Sequence, residues 1–322
     1  MKSTIYLLLF QAEESHHNLS LIFKLMKPYN FIAEHKLFTY AFDLKLTNEW
    51  FGVGKAASTY RCARCIMPYT EFDSKEIDEN GIPKYLAGGP LRYLDHVKEQ
   101  SDLYNLAKES HRGKSKLSSA TYFNSENTPV DTQLPGETKI LHICPPPPLH
   151  IKMGLFNKIF DILEALIKKF EFDFSLEEMW TSGVGIEREE HYGGTLQFSG
   201  RQASTLMSPK HIERLMTLLS EKNATDQLQP AIDNLKSFIV VNDVCMGMKI
   251  KDANYYDKIK IYAASYLELM AYCKSLDIPM SYTPITKAHD LWVHVPQFLN
   301  FLEVEKGLKG VGMGMCSEQG HS

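Results

Sequence analysis

The chain has 322 residues, of which 44% are hydrophobic and 23% are charged, so it can bury a sizeable core as one large domain or two ordinary ones. Its formal net charge of −4 excludes a globally basic surface, although basic stretches occur at 108–116 and 249–260 and can equally be solvated faces. The 6 cysteines are scattered, which is typical of a reducing compartment and of metal binding rather than of a disulfide framework. No apolar run is long enough to span a membrane, so we expect a nuclear or cytoplasmic protein that is not secreted.

The N-terminal region has the pattern of strand, helix and strand. Residues 5–10 form a compact apolar run that predicts a buried strand, and no small-residue cleavage site follows it as in a signal peptide. Apolar residues at helical spacing predict a helix over 13–27, which Pro28 ends. A second apolar run over 37–46 predicts another strand, so we expect a βαβ unit with a parallel sheet. Asp43 then lies near the carboxyl end of a strand, where active-site residues gather in such sheets.

The sequence is polar over residues 66–138 and predicts mainly helices after residue 145. Residues 66–138 are rich in turn signals and predict a loop-rich insertion. A four-proline run at 145–148 precedes a strongly amphipathic helical pattern, and further helical patterns run from about 208 to 305. The Gly-Gly pair at 193–194 predicts a turn, because it lacks the lysine and the spacing of a phosphate-binding loop.

A cysteine pair and a histidine pair carry the clearest chemical signal. Cys62 and Cys65 form C-A-R-C, and His289 and His294 form H-D-L-W-V-H. Two thiolates with two imidazoles make the ligand set of a closed, tetrahedral, structural zinc site. A C-x-x-C can also be a redox dithiol or a chance pair, and histidines five positions apart share one face of an α-helix only loosely. The rival ligands are His142, Cys144 and His150.

Two acidic residues flank these pairs. Asp43 lies within an apolar segment, where a buried carboxylate without a partner costs several kcal/mol. It is therefore either a functional carboxylate or the N-cap of a helix over 44–50. Glu318 lies close to the C-terminus in S-E-Q, where terminal residues are commonly frayed.

Taken in order, the motifs resemble those of uncharacterised, transposon-derived proteins found in many invertebrate genomes. The resemblance runs nearly from end to end, and it is the ordered set rather than any one motif that is specific. The matching segments are D-L-K-L at 43–46, C-A-R-C at 62–65, P-P-P-P-L-H at 145–150, H-Y-G-G-T-L-Q-F-S-G at 191–200, T-P-I-T-K-A-H-D-L-W-V-H-V-P-Q-F at 283–298 and S-E-Q at 317–319.

The order of acid, cysteine pair, histidine pair and acid also resembles the core of Transib-like DDE transposases and of the related antigen-receptor recombinase. That resemblance implies an α/β, RNase H-like fold in which carboxylates hold two Mg²⁺ or Mn²⁺ ions for phosphoryl transfer on DNA. It implies that Asp43 and Glu318 are catalytic acids, and that DNA and a second copy of the chain are partners. It further implies a zinc ion that fastens a large, mainly helical insertion to a partial catalytic sheet, held by Cys62, Cys65, His289 and His294.

Some expected parts of the family pattern are missing. The first catalytic acid should lie on a strand before residue 43, the family continues beyond S-E-Q, and Pro148 stands where the family has glutamate. We therefore expect a transposase fragment that is impaired in catalysis, since two-metal chemistry with a missing ligand loses most of its rate. The predicted segments are 1–65 for a partial RNase H-like core, 66–144 for a loop-rich insertion, 145–300 for a mainly helical insertion domain and 301–322 for the start of a C-terminal catalytic helix.

Two alternatives from other functional classes remain open. The first is a zinc-stabilised, non-enzymatic module that binds DNA or another protein and needs only the zinc site. The second is an unrelated metal-dependent hydrolase, which would need His142 or His150 beside Asp43.

Overall fold

The computed structural model describes residues 15–26, 39–54, 57–111, 117–130, 134–191 and 195–316. This part of the chain is mostly helical, and its only sheet is a two-stranded antiparallel hairpin. None of the helices in it is long and apolar enough to cross a membrane. The chain divides into two compact units, and the division into four segments predicted above stays a prediction. The first unit comprises Met1–Pro147, His289–Val311 and Met315–Ser322, and the second comprises Pro148–Ala288 and Gly312–Gly314.

The helices and strands are numbered here in chain order. The α-helices are α1 (His16–Met26), α2 (Leu44–Phe51), α3 (Lys84–Ala87), α4 (Leu94–Ser110), α5 (Ile140–Ile143), α6 (Pro148–Lys169), α7 (Gly200–Leu206), α8 (Pro209–Glu221), α9 (Thr225–Cys245), α10 (Tyr255–Ser275), α11 (Thr286–His289) and α12 (Val295–Val304), and the strands are β1 (Glu189–His191) and β2 (Thr195–Gln197). Two π-helical segments (Glu177–Thr181 and Asp290–His294) and four 3₁₀ segments (Tyr69–Glu71, Ser119–Tyr122, Ser182–Val184 and Met313–Cys316) complete the assignment.

The core of the first unit joins three helices from separate parts of the chain. Phe51 of α2, Val97 of α4 and Ile140 of α5 are fully buried in one apolar cluster. Burying a side chain of this size contributes about 1.5–3 kcal/mol, so the cluster holds these short helices in place. Trp50 packs on its edge and also contacts Phe23 of α1, with ring centroids 5.4 Å apart.

The prediction of a strand over 37–46 is wrong in the described part of that segment. Residues 39–43 have no regular secondary structure, and α2 begins at Leu44. Asp43 is the N-cap of α2, because its carboxylate accepts the backbone N–H of Leu46 at 2.7 Å. The helix ends at Phe51 and is capped by Gly52, whose left-handed φ of 69° favours glycine. A short apolar run is compatible with a helix as well as with a strand, and here the N-cap at Asp43 favours the helix.

The RNase H-like sheet predicted from the resemblance is not seen in the described residues. The first predicted strand, 5–10, lies outside them, as does the turn predicted at 193–194. The helix predicted over 13–27 is confirmed as α1, and the N-cap interpretation of Asp43 is confirmed with it. The fold class is therefore mainly helical in this part of the chain rather than an α/β sheet with helices around it.

The N-cap at Asp43 makes a testable prediction. We expect Asp43→Ala to lower the free energy of unfolding by about 1 kcal/mol, because the N–H of Leu46 loses its acceptor. Asp43→Asn keeps an acceptor oxygen and is expected to cost much less, as measured by urea denaturation of both variants. Equal losses in the two variants would mean that the charge itself is required, as it would be in a metal-binding carboxylate.

The second unit is built around one long helix and a helix pair. Helix α9 packs along α10 and also against α6, and their buried faces carry Leu235, Phe238 and Leu269. The helical patterns predicted after residue 148 are confirmed, and α6 begins at the last residue of the proline run. Proline is tolerated there, since the first turn of a helix needs no N–H donor. The hairpin pairs Glu189 with Gln197.

Candidate metal centre

The cysteine pair and the histidine pair meet in the first unit. Sγ of Cys62 lies 3.2 Å from Nε2 of His294, and Sγ of Cys65 lies 3.3 Å from Nε2 of His289. The four ligand atoms all lie within 4.8 Å of one another, and all four residues are fully buried. The four side chains are therefore close enough to hold a metal ion, as the sequence predicted.

The donor set and its dimensions fit zinc. With Zn–S bonds of about 2.3 Å and Zn–N bonds of about 2.0–2.1 Å, tetrahedral geometry places sulfur and nitrogen about 3.6 Å apart and the two sulfurs about 3.8 Å apart. The two observed sulfur–nitrogen distances are a few tenths of an ångström below that value, and the widest separation of 4.8 Å is above it. Small side-chain adjustments would close the four atoms around one ion.

The loop that carries the cysteines is shaped by a close backbone approach. Ile66 donates its N–H to the carbonyl of Pro90 at 2.8 Å, and Arg92 donates its N–H to the carbonyl of Arg64 at 2.8 Å. A Cβ at Gly89 would lie 2.4 Å from the carbonyl oxygen of Ile66, so only glycine allows this approach. The two backbone bonds thus hold the Cys62–Cys65 loop against the neighbouring segment.

A π-helical segment brings the two histidines onto one face. In an α-helix, residues five positions apart point about 140° away from each other around the axis. The segment Asp290–His294 is π-helical, and the imidazole centroids of His289 and His294 lie only 4.8 Å apart. Pro296 helps to explain this, because it has no N–H to donate to the α-helical acceptor four residues before it. The π-helical turn therefore places both imidazoles of the H-x4-H motif where they can bind the same ion.

The two imidazole rings are oriented by different neighbours. Nδ1 of His294 lies 2.8 Å from Oε1 of Gln297, within hydrogen-bond distance. The ring of His289 stacks on Phe72, with centroids 4.0 Å apart and planes 2° from parallel. Phe72 is fully buried, so its ring also shields this side of the site from water.

A buried ion pair joins the same two segments as the ligands. Arg64 lies between the cysteines and Asp290 follows His289, and both side chains are fully buried. The Nη1 group of Arg64 lies 3.3 Å from each carboxylate oxygen of Asp290. The Nε and Nη2 groups of Arg64 donate to the backbone carbonyls of Cys144 and Pro145, respectively, each at 2.9 Å. Each of the three guanidinium nitrogens therefore has an acceptor inside the protein.

A second buried arginine holds the backbone of the cysteine loop. Arg92 is fully buried, and its Nε group donates to the carbonyls of Cys62 at 3.0 Å and Cys65 at 3.2 Å. Its Nη2 group donates to the carbonyl of Phe123 at 2.7 Å. With Arg64, it places two guanidinium charges beside the thiols, which favours the thiolate form that binds metals.

The electrostatics of the four ligands reflect their burial and their mutual contact. Burial raises the pKa of Cys65 well above its usual value. Burial also acts to raise the pKa of Cys62, but hydrogen bonds and the neighbouring His294 outweigh it and lower that pKa well below the usual value. Burial lowers the pKa of His289, whereas in His294 the effect of burial is exceeded by the Cys62 thiolate, which raises the pKa. A metal must displace the remaining protons, so its affinity falls in acid.

The other predicted site residues lie outside this group. Asp43 is half-buried and caps α2, and Glu318 lies outside the described residues, so their catalytic roles stay predictions. None of the three rival ligands joins the cluster. His142 stacks on Phe301 with centroids 3.8 Å apart, Cys144 lies 3.5 Å from the hydroxyl of Thr47 and His150 belongs to α6.

His142 makes a prediction about pH. Burial lowers its pKa to about 4, and although Glu305 acts to raise it, Lys139 and Lys306 lower it further. Because the unfolded chain takes up this proton first, the folded protein loses stability as the pH falls below the ordinary histidine pKa. We expect a loss of about 1 kcal/mol between about pH 7 and about pH 5, reduced by partial exposure to solvent. Urea denaturation of His142→Phe should lack this component, and identical pH profiles for variant and wild type would contradict the assignment.

The pattern of the sequence did not single out several residues of the centre. Arg64 and Asp290 had a signal, since each is a charged residue placed directly beside a ligand. Arg92, Gln297 and Phe72 had none, because each reaches the ligands through the tertiary fold.

In comparisons with known proteins, the chain matches no protein-family model and no curated protein. The resemblance to transposon-derived proteins therefore stays a prediction.

Proposed function

We propose that this chain is a zinc-stabilised, non-enzymatic module in which one Zn²⁺ fastens distant segments of the first unit together. The observation that carries the proposal is the convergence of four fully buried donor atoms within 4.8 Å. The ion would be held by Cys62, Cys65, His289 and His294.

The site suits a structural role better than a catalytic one. A catalytic zinc ion keeps an open position for water or substrate, whereas four protein ligands close the tetrahedron. Burial of all four residues and the stacking of Phe72 on His289 leave little access for a substrate. The cross-linked residues are 232 and 224 positions apart, and a cross-link across so long a stretch removes more entropy from the unfolded chain than a short one.

A transposable-element origin is part of the same proposal. The ordered motifs support it, and in the family such a zinc ion joins the helical insertion to the catalytic core. Among the residues that the structure describes, the Cys₂His₂ group is the one cluster of three or more His, Cys, Asp or Glu side chains placed to hold a metal. We therefore propose a descendant of a DDE-type transposase that has kept the zinc site and has impaired strand-transfer chemistry. The roles of Asp43 and Glu318 with Mg²⁺ or Mn²⁺ belong to the intact family.

DNA binding is the less supported part of this proposal. In the basic stretch 249–260, Lys251 pairs with Asp243, and Lys260 pairs with Asp257 at 2.6 Å. These acids neutralise part of the charge that would contact phosphates, which favours the interpretation as a solvated face. Residues 112–116 of the other basic stretch lie outside the described residues.

Metal analysis tests the zinc site directly. We expect the purified protein to contain one zinc ion per chain by mass spectrometry, and Cys62→Ser and His294→Ala each to lose it. Cys144→Ser is the matched control, since this thiol is also buried but lies outside the ligand group and should leave the zinc in place. Zinc absent from the wild type, or retained in His294→Ala, would overturn the proposal.

A cleavage assay separates the module from an active transposase. Supercoiled plasmid incubated with the protein and Mg²⁺ or Mn²⁺ should remain intact. Nicking that disappears in Asp43→Ala would show that catalysis has survived and would replace the module by the enzyme.

A further inference from the structure

A neutral histidine such as His294 has two tautomers, and each leaves only one ring nitrogen free to bind a metal. A metal takes the nitrogen that carries no proton, so Nε2 must be free and the proton must sit on Nδ1. Nε2 faces Cys62 at 3.2 Å, and Nδ1 lies 2.8 Å from Oε1 of Gln297. Because an amide oxygen only accepts hydrogen bonds, this contact requires the proton on Nδ1.

The amide of Gln297 is itself held in the required orientation. Its Nε2 group donates to the backbone carbonyl of Ala87 at 3.4 Å. Turning the amide over would place its oxygen against that carbonyl and its NH₂ group against Nδ1 of His294. Two acceptors would then face each other, so the carbonyl of Ala87 keeps the oxygen of Gln297 on the histidine.

The position of Gln297 follows from helix geometry. His294 is the residue before α12, and Gln297 lies three positions later, one turn along the helix. Side chains three positions apart are neighbours on a helix surface. The other histidine has no equivalent, since Nδ1 of His289 has no hydrogen-bond partner among the described residues and its ring is held by stacking on Phe72.

We infer that Gln297 is a positioning residue that holds His294 as the Nδ1–H tautomer and so keeps Nε2 free for the metal. This inference rests on the proposed zinc site and deepens it. Partners that orient a metal-binding histidine typically change metal affinity by about 10- to 100-fold when they are removed. Gln297 acts through His294 and does not itself contact the ion.

Two substitutions at one position separate this role from simple packing. Gln297→Leu removes the acceptor, whereas Gln297→Glu keeps an acceptor oxygen on a side chain of the same length. Gln297 is only partly buried, so both variants are expected to fold, as checked by circular dichroism. Asn300→Leu, exposed one turn further along α12, is the matched control.

The first readout is zinc affinity, measured by equilibrium competition of the zinc-loaded protein with a chromophoric chelator. Gln297→Leu should bind zinc about 10-fold more weakly or worse, while Asn300→Leu stays near the wild type. Gln297→Glu keeps an acceptor for Nδ1 of His294 but loses the bond to Ala87, so it should lose clearly less affinity than Gln297→Leu. Wild-type affinity in Gln297→Leu would overturn the inference.

The second readout is the Nδ1 proton of His294 in nitrogen-15 NMR spectra of the protein as purified. It should appear as a hydrogen-bonded, slowly exchanging signal in the wild type and in Gln297→Glu, and it should lose that character in Gln297→Leu. Weaker zinc binding with an unchanged proton signal would mean a packing role and would also overturn the inference. A wild-type protein without zinc would overturn the proposed function instead, and a hydrogen-bonded Nδ1 proton that is lost in Gln297→Leu would still show that Gln297 holds the proton on this nitrogen.

Discussion

Loss of the metal is expected to lower the melting temperature of the first unit by about 8–16 °C. A ligand present at 1,000 times its Kd stabilises the folded state by about 4 kcal/mol, and each kcal/mol corresponds to about 2–4 °C in a domain of 150–250 residues. Calorimetry should show this fall in Cys62→Ser and His294→Ala, and in the wild type after treatment with a strong chelator. The second unit carries none of the ligands and should melt with little change.

The chelator supplies the control for this prediction. If the substitutions act through the metal, chelation should lower the melting temperature of the wild type and of Cys144→Ser but leave Cys62→Ser unchanged. A further fall in Cys62→Ser would mean that chelation acts elsewhere. A wild type insensitive to chelation, yet destabilised by both substitutions, would mean that the four side chains pack without an ion.

Breaking the ion pair of Arg64 and Asp290 from one side is expected to cost about 3–5 kcal/mol, because it leaves an uncompensated charge in the interior. Arg64→Met leaves the carboxylate without its ion-pair partner, and Asp290→Leu leaves the guanidinium without its partner. The double variant leaves neither charge unpaired, so it should lose much less stability than the sum of the single variants. The carbonyls of Cys144 and Pro145 still lose their donor in it. Urea denaturation of all four proteins gives the coupling energy, which we expect to exceed about 2 kcal/mol.

A surface pair provides the comparison for that cycle. Lys260 and Asp257 are also in ion-pair contact, at 2.6 Å, but both side chains are open to solvent on α10. The same substitutions there, Lys260→Met and Asp257→Leu, should show a coupling of at most about 1 kcal/mol. Additive losses at Arg64 and Asp290 would mean that the buried contact is not a coupled pair and that each side chain acts through its other neighbours.

Much of the helical structure could be predicted from local pattern, and one element shows where pattern fails. The amphipathic spacing over 13–27 and after residue 148 predicted α1 and α6, because apolar residues at helical spacing must face a core. The apolar run at 37–46 led to a wrong prediction of a strand, since its composition is compatible with a buried strand and with a helix. Asp43 carried the deciding signal, as its side chain caps the backbone only three residues away.

The metal centre divides in the same way between local and distant causes. The ligand types, the tight spacing of Cys62 and Cys65 and the cap at Asp43 could be predicted from the sequence, since they depend on chemistry within a few residues. The fold of the first unit brings in the histidines 224 and 232 positions away as the partners, rather than His142, Cys144 or His150. The same fold sets the contacts of Arg92 and Gln297. Such pairings depend on which buried surfaces meet and which charges they must satisfy, and spacing along the chain does not encode that.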